Sequence, residues 1–182
     1  MPVLPSAAQP VFYYDLGDPA CYLVAEQVMA ALPVVPEWEP VCLGALEAPD
    51  RSAVEQRARE LGLQPLRWPE GWPPDTRQAM LAATYAKRIG RAVAFSLAAF
   101  RQAFAGGRDL ADQDTILIAG AACEMHPSAL LKGMTTRSVL SALEEASRRA
   151  RQAGVHTLPA IQVKDRVFTG PAALSAAAGA IR

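Results

Sequence analysis

Paired cysteines, an excess of charge of either sign and long apolar runs are all missing from this chain. Lysine and arginine together number 18, matched by 18 aspartates and glutamates, so no overall field gathers nucleic acid or an anionic membrane. No stretch approaches the roughly 18 uninterrupted apolar residues of a membrane-spanning helix. Met1 to Pro10 has neither the basic nor the apolar region of a secretory signal, and the expected location is the cytoplasm. The three cysteines, Cys21, Cys42 and Cys123, are odd in number and scattered, which argues against a disulfide framework and against a metal site. At 182 residues the chain is sized for one core, or one core carrying an insertion.

What is present is a strand-and-helix pattern of two kinds. Val11 to Leu16 is an aromatic and β-branched run between Pro10 and Gly17, suited to a buried strand. Asp18 stands where a helix N-cap is wanted and Pro19 at a first helical position, followed by an apolar helical run, Tyr22 to Leu32, that stops at Pro33. Trp38 to Leu46 reads as a second strand, parallel to the first. The middle is helical: a charged helix over Arg51 to Leu61, an irregular Pro/Trp/Gly segment from Pro65 to Pro74, and one long helix over Thr76 to Phe104 that stops at Gly106-Gly107. Asp114 to Met125, a short Ser128 to Leu131, and an amphipathic Thr135 to Ala153 capped by Gly154 follow. Ala160 to Val163 and Arg166 to Thr169 make a hairpin around Lys164-Asp165, and Pro171 to Ile181 closes as a helix. The order is βαβ, a helical block of roughly a hundred residues, then ββα.

The string Phe12-Tyr13-Tyr14-Asp15-Leu16-Gly17-Asp18-Pro19-Ala20-Cys21-Tyr22-Leu23 resembles the opening of 2-hydroxychromene-2-carboxylate isomerases and kappa-class glutathione transferases, relatives of the DsbA oxidoreductases. Similarity continues at Phe100-Arg101-Gln102-Ala103-Phe104 with Gly107-Arg108-Asp109-Leu110, and at Gly154-Val155-His156-Thr157-Leu158-Pro159-Ala160. The resemblance implies an α/β, thioredoxin-like fold with a helical insertion, as in DsbA. The chain would be a single domain over 1–182, with 10–48 and 154–182 forming the thioredoxin core and 50–153 the insertion. It also implies that Pro159 is the cis-proline of the superfamily. Leu158 would then expose a backbone edge to which a substrate or glutathione pairs like an added strand.

Departures from the family fall at the chemistry. Where DsbA-like enzymes have the nucleophilic cysteine of Cys-Pro-x-Cys, and the isomerase branch a serine that contacts the glutathione sulfur, this chain has Asp18. Where the isomerase branch has an Asp-Arg pair that helps hold glutathione, it has Ala172 and Ala173. Glutathione, the family's cofactor, is therefore disfavoured, and no other cofactor is implied. Asp18 can be read as a helix cap, stabilising by about 1 kcal/mol, or as a general base, since capping favours its ionised form.

Cys21 can be read as a buried packing residue or as a reactive thiol. Its helix-start position favours a thiolate, and Asp18 opposes one. Cys42 and Cys123 read as packing residues. His126 reads as a helix-end or surface residue, and His156 as a loop histidine facing the active-site helix. Trp38, Trp68 and Trp72 cover a core edge or wall a cleft.

The candidate site is thus Asp18 and Cys21 for catalysis, with Pro19, His156, Leu158 and Pro159 for substrate binding. Three functions follow: an isomerase-like enzyme on a small or thiol-linked substrate, a non-catalytic binding module keeping the cis-proline groove, or a single-cysteine oxidoreductase using Cys21. Partners would be that small substrate and, in one arrangement, a second copy of the chain.

Overall fold

The computed structural model describes residues 9–181; most of the Met1 to Pro10 stretch lies outside them. Strand β1 (Val11–Tyr14) leads through a tight turn into helix α1 (Pro19–Ala31), and β2 (Glu37–Pro40) returns parallel to β1. The helices α2 (Arg51–Glu60), α3 (Arg77–Arg88), α4 (Ala92–Phe104), α5 (Gln113–Ala121), α6 (Pro127–Met134) and α7 (Arg137–Gln152) come next. The antiparallel hairpin β3 (Ala160–Val163) and β4 (Arg166–Thr169) and helix α8 (Ala173–Ile181) end the described chain, and the sheet order is β2-β1-β3-β4.

Period-two alternation along β1 divides the interior in two. Phe12 and Tyr14 point to one face and join Trp38, Ile161 and residues of α1, α3, α4 and α8 in the larger core. Phe12 meets Trp38 edge-on at 5.0 Å and Tyr14 reaches Phe100 at 5.9 Å, geometries that suit aromatic quadrupoles. The Tyr14 hydroxyl, fully buried, hydrogen-bonds the Ser96 hydroxyl at 2.6 Å, so the polar atom is satisfied where leaving it alone would cost free energy. Tyr13 points the other way, to Val41, Val155, Ala160 and the Ala146 and Ala150 face of α7.

Three boundaries differ from the expectations. The long helix over Thr76 to Phe104 is two helices, because Gly90 adopts φ 75° and caps α3 in a left-handed conformation that glycine takes at no steric cost. The second strand ends at Pro40 and does not run to Leu46; the Val41 amide still reaches the Tyr14 carbonyl at 3.1 Å, but the Cys42 amide turns away to the Ser147 hydroxyl at 2.9 Å. Helix α5 stops at Ala121, short of Met125, where Glu124 takes φ 60° and the Met125 amide folds back to the Gly120 carbonyl. Helices α3 and α6 meet at Gly133, where any β-carbon would collide with the Tyr85 ring.

Candidate functional site

The site is built on the turn between β1 and α1. Asp15 directly follows the buried strand; its Oδ1 accepts the Gly17 amide at 2.9 Å, and its carbonyl accepts the Asp18 amide at 3.1 Å. Asp18 is then the N-cap of α1, with Oδ1 accepting the Ala20 amide at 2.7 Å and the Cys21 amide at 3.4 Å, and Pro19 opens the helix. Gly17 is pinched between them: a β-carbon there would lie 2.5 Å from Thr76 Cγ2 and 2.7 Å from Leu46 Cδ1. Two distant segments, the loop after β2 and the approach to α3, therefore press directly on the turn.

That pressure sets the electrostatics. Burial pushes the Asp18 carboxyl above its ordinary value, and the Ala20 and Cys21 amides pull it back only in part. Capping does favour the charged form, as expected from sequence, but desolvation is the larger effect. Cys21 is 0% exposed, and burial first, then the Asp18 charge, hold its thiol well above the usual range. The helix-start position does not prevail. Cys21 presents no surface to a substrate.

Two neighbouring cavities share the residues Cys42 and Arg77. One, of about 280 Å³, is lined by Asp15, Cys42, Gly44, Ala45 and Leu46 and by the turn Pro73 to Arg77. The other, of about 210 Å³, runs between Cys42, Arg77 and the α7 side chains Glu144, Ser147 and Arg151. Arg151 donates to the Cys42 carbonyl at 3.0 Å. The Cys42 thiol, partly exposed, is pushed up to about 12, chiefly by burial and then by the Asp15 charge.

The residues singled out from sequence divide into two groups. Asp18, Pro19 and Cys21 lie together at the start of α1. Ala160 pairs with Tyr13, so Pro159 and Leu158 follow on toward the end of β1 where the turn begins; the Leu158–Pro159 peptide is cis, as is Trp72–Pro73. Pro159 is buried, Leu158 half-buried and His156 exposed, and none of the three lines either cavity. Trp38 is core and Trp68 covers the core edge, its Nε1 donating to Glu55 at 2.6 Å, while Pro73 and Pro74 wall the cleft. His126 is exposed and Cys123 buried. Ala172 and Ala173 stand at the start of α8 and bring no charge. Among the described residues no group of three His, Cys, Asp or Glu side chains is placed to hold a metal ion.

Asp15, which the apolar run Val11 to Leu16 places inside a strand, stands just past the end of β1. It is 4% exposed, and its carboxyl is raised to about 6 by burial, against the Gly17 amide and Thr76 hydroxyl that lower it, with the Asp18 charge adding to the rise. The signal was there: a carboxylate closing an otherwise apolar run is a buried charge that needs a reason.

The family model of the DSBA-like thioredoxin domain matches residues 11–182. The chain belongs to that family. Solved DsbA-like structures agree on the fold. A 2-hydroxychromene-2-carboxylate isomerase superposes with TM-score 0.82 at 16% identity, covering 94% of this chain and 93% of its own. A probable DsbA oxidoreductase from Streptomyces coelicolor gives 0.77 at 17%, covering 95% and 88%. The cytosolic disulfide reductase DsbM from Pseudomonas aeruginosa, solved with GSH, gives 0.68 at 13%, covering 95% of each chain. Comparison with curated proteins by sequence finds no match. No helix among the described residues is long and apolar enough to cross a membrane.

Proposed function

We propose that this DsbA-like protein is an isomerase-type enzyme acting on a small substrate at the β1–α1 turn, with carboxylates doing the work that thiols do in its redox relatives. The observation that carries this reading is the state of the motif: the first position is a capping carboxylate, and the motif's one thiol is fully enclosed. Disulfide exchange begins with an exposed thiolate and is completed by a resolving thiol. Proton-transfer chemistry needs only a positioned acid or base in a dry pocket. A likeness in fold to 2-hydroxychromene-2-carboxylate isomerase supports the same direction. On this reading glutathione is not required.

The test is a spectrophotometric isomerisation assay with 2-hydroxychromene-2-carboxylate, run with and without glutathione, on wild type, Asp18→Ala and Cys21→Ser. Turnover that is independent of glutathione and survives Cys21→Ser is expected. Saturable binding without turnover would replace the enzyme reading by that of a binding module, and turnover lost in Cys21→Ser would restore the thiol mechanism.

A further inference from the structure

We propose that Asp15, rather than Asp18, is the acid-base residue of this site: it lines the cavity shared with the segment Pro73 to Arg77, and its carboxyl takes a proton from a small conjugated carbonyl compound and returns it to another atom of the same molecule. The proposal rests on the isomerase-type reading and names the group that would carry it. The two carboxyls of the turn are placed differently. Asp18 Oδ1 is committed to the Ala20 and Cys21 amides, and Asp18 does not line the cavity, whereas Asp15 does.

The surroundings of Asp15 suit reversible proton transfer. The Gly17 amide fixes one oxygen at 2.9 Å, Thr76 lines the same cavity, and among the described residues no cation is the leading influence on the carboxyl, so none locks it ionised. Leu46, Pro73 and Pro74 make the cavity largely apolar, and about 280 Å³ leaves room for a compact ring system. The charged and titratable groups around it are Asp18 and Cys21 at the start of α1, Cys42 after β2, Asp75 and Arg77 at the start of α3, and Tyr14 at the end of β1. A carboxyl near 6 keeps both forms accessible near neutrality, as a shuttle requires. In the step, the carboxylate removes a proton from carbon or oxygen next to the carbonyl, and the electron pair moves into the conjugated system. The resulting acid then protonates a different atom. No electrons are gained or lost, and the proton is returned.

Two measurements decide the proposal, and the first needs no substrate. With ¹³C-labelled aspartate, one side-chain carboxyl should titrate near pH 6 and its signal should vanish in Asp15→Asn. In parallel, iodoacetamide modification of Cys42, followed by peptide mapping, should speed up several-fold at pH 8 in Asp15→Asn, because the Asp15 charge no longer opposes the thiolate that shares its cavity. An Asp15 signal in the ordinary aspartate range, or an unchanged Cys42 rate, would overturn the proposal even if the enzyme is active. The second is kinetic: Asp15→Asn should lower isomerase kcat by roughly 100-fold or more, remove the acidic limb of the pH profile and leave KM within about threefold, with partial rescue in Asp15→Glu. Wild-type kcat in Asp15→Asn would also overturn it. A wild type without turnover would sink the enzyme reading, while titration and alkylation would still decide whether Asp15 is the ionising group of the cavity.

Discussion

Asp18 accepts the Cys21 amide at 3.4 Å, so the residue standing in the nucleophile position holds the helix that hides the motif's remaining thiol. Wild type should therefore be a poor catalyst of insulin reduction by dithiothreitol. Asp18→Cys rebuilds Cys-Pro-Ala-Cys, at the cost of about 1 kcal/mol for the lost cap, and should raise turnover well above background. Robust wild-type turnover, abolished by Cys21→Ser, would make thiol exchange the leading function.

Glutathione should bind weakly or not at all. If it bound as the resemblance implies, its charged end would meet the uncharged Ala172 and Ala173 and its sulfur would approach the Asp18 carboxylate. Calorimetric titration at sub-millimolar concentrations is expected to show no saturable heat. Tight binding would mean that other side chains supply the missing contacts.

The raised Asp15 carboxyl has a stability consequence of definite sign. Its value moves from 3.8 to about 6 on folding, so the folded state holds that proton more tightly than the unfolded chain. Asp15 therefore costs nothing below pH 3.8 and destabilises progressively as pH rises from there to about 6. The full effect above that window is at most about 3 kcal/mol. Asp18, raised in the same direction, adds to the slope. Urea unfolding between pH 4 and 8 should show Asp15→Asn with a shallower decline than wild type and higher stability at pH 7. An identical pH dependence in the two proteins would contradict the account.

Helix packing offers a test independent of chemistry. Gly133 lets α6 lie against the Tyr85 ring of α3 with no room for a methyl group, and Gly133→Ala should destabilise by about 1–3 kcal/mol through overpacking. Trimming the ring in Gly133→Ala/Tyr85→Leu should recover part of that loss in thermal melts. Additive losses in the double variant would show that the contact is not the cause.

Much of the fold was legible because its signals are local. The aromatic run before Gly17, the Asp18-Pro19 cap and the stop at Gly106-Gly107 each mark an element by themselves. The break at Gly90 is not legible, because apolar spacing continues through it into α4 and only the positive φ reveals the turn. For the candidate site, the sequence points to Asp18 and Cys21 but not to their environment. Whether a thiol three residues into a helix is a thiolate depends on what covers it, and here Leu46, Pro74 and Thr76 crowd the turn from 29 to 59 positions away from Gly17. Asp15 was overlooked for the same reason, since its cavity exists only once those segments have folded over the strand end.

The placement of α7 limits how this chain can be divided. Ala146 and Ala150 close the Tyr13 face of the sheet, and Thr76 presses on the turn at Gly17, although both segments lie in the stretch between β2 and β3 in the chain. A minimal version made by splicing out that stretch would leave a sheet stripped on one side and a carboxyl opened to water. The turn would survive such surgery as a string of residues but not as a chemical environment, so transplanting Asp15 to Cys21 into a bare thioredoxin would carry the letters across without the properties they have here.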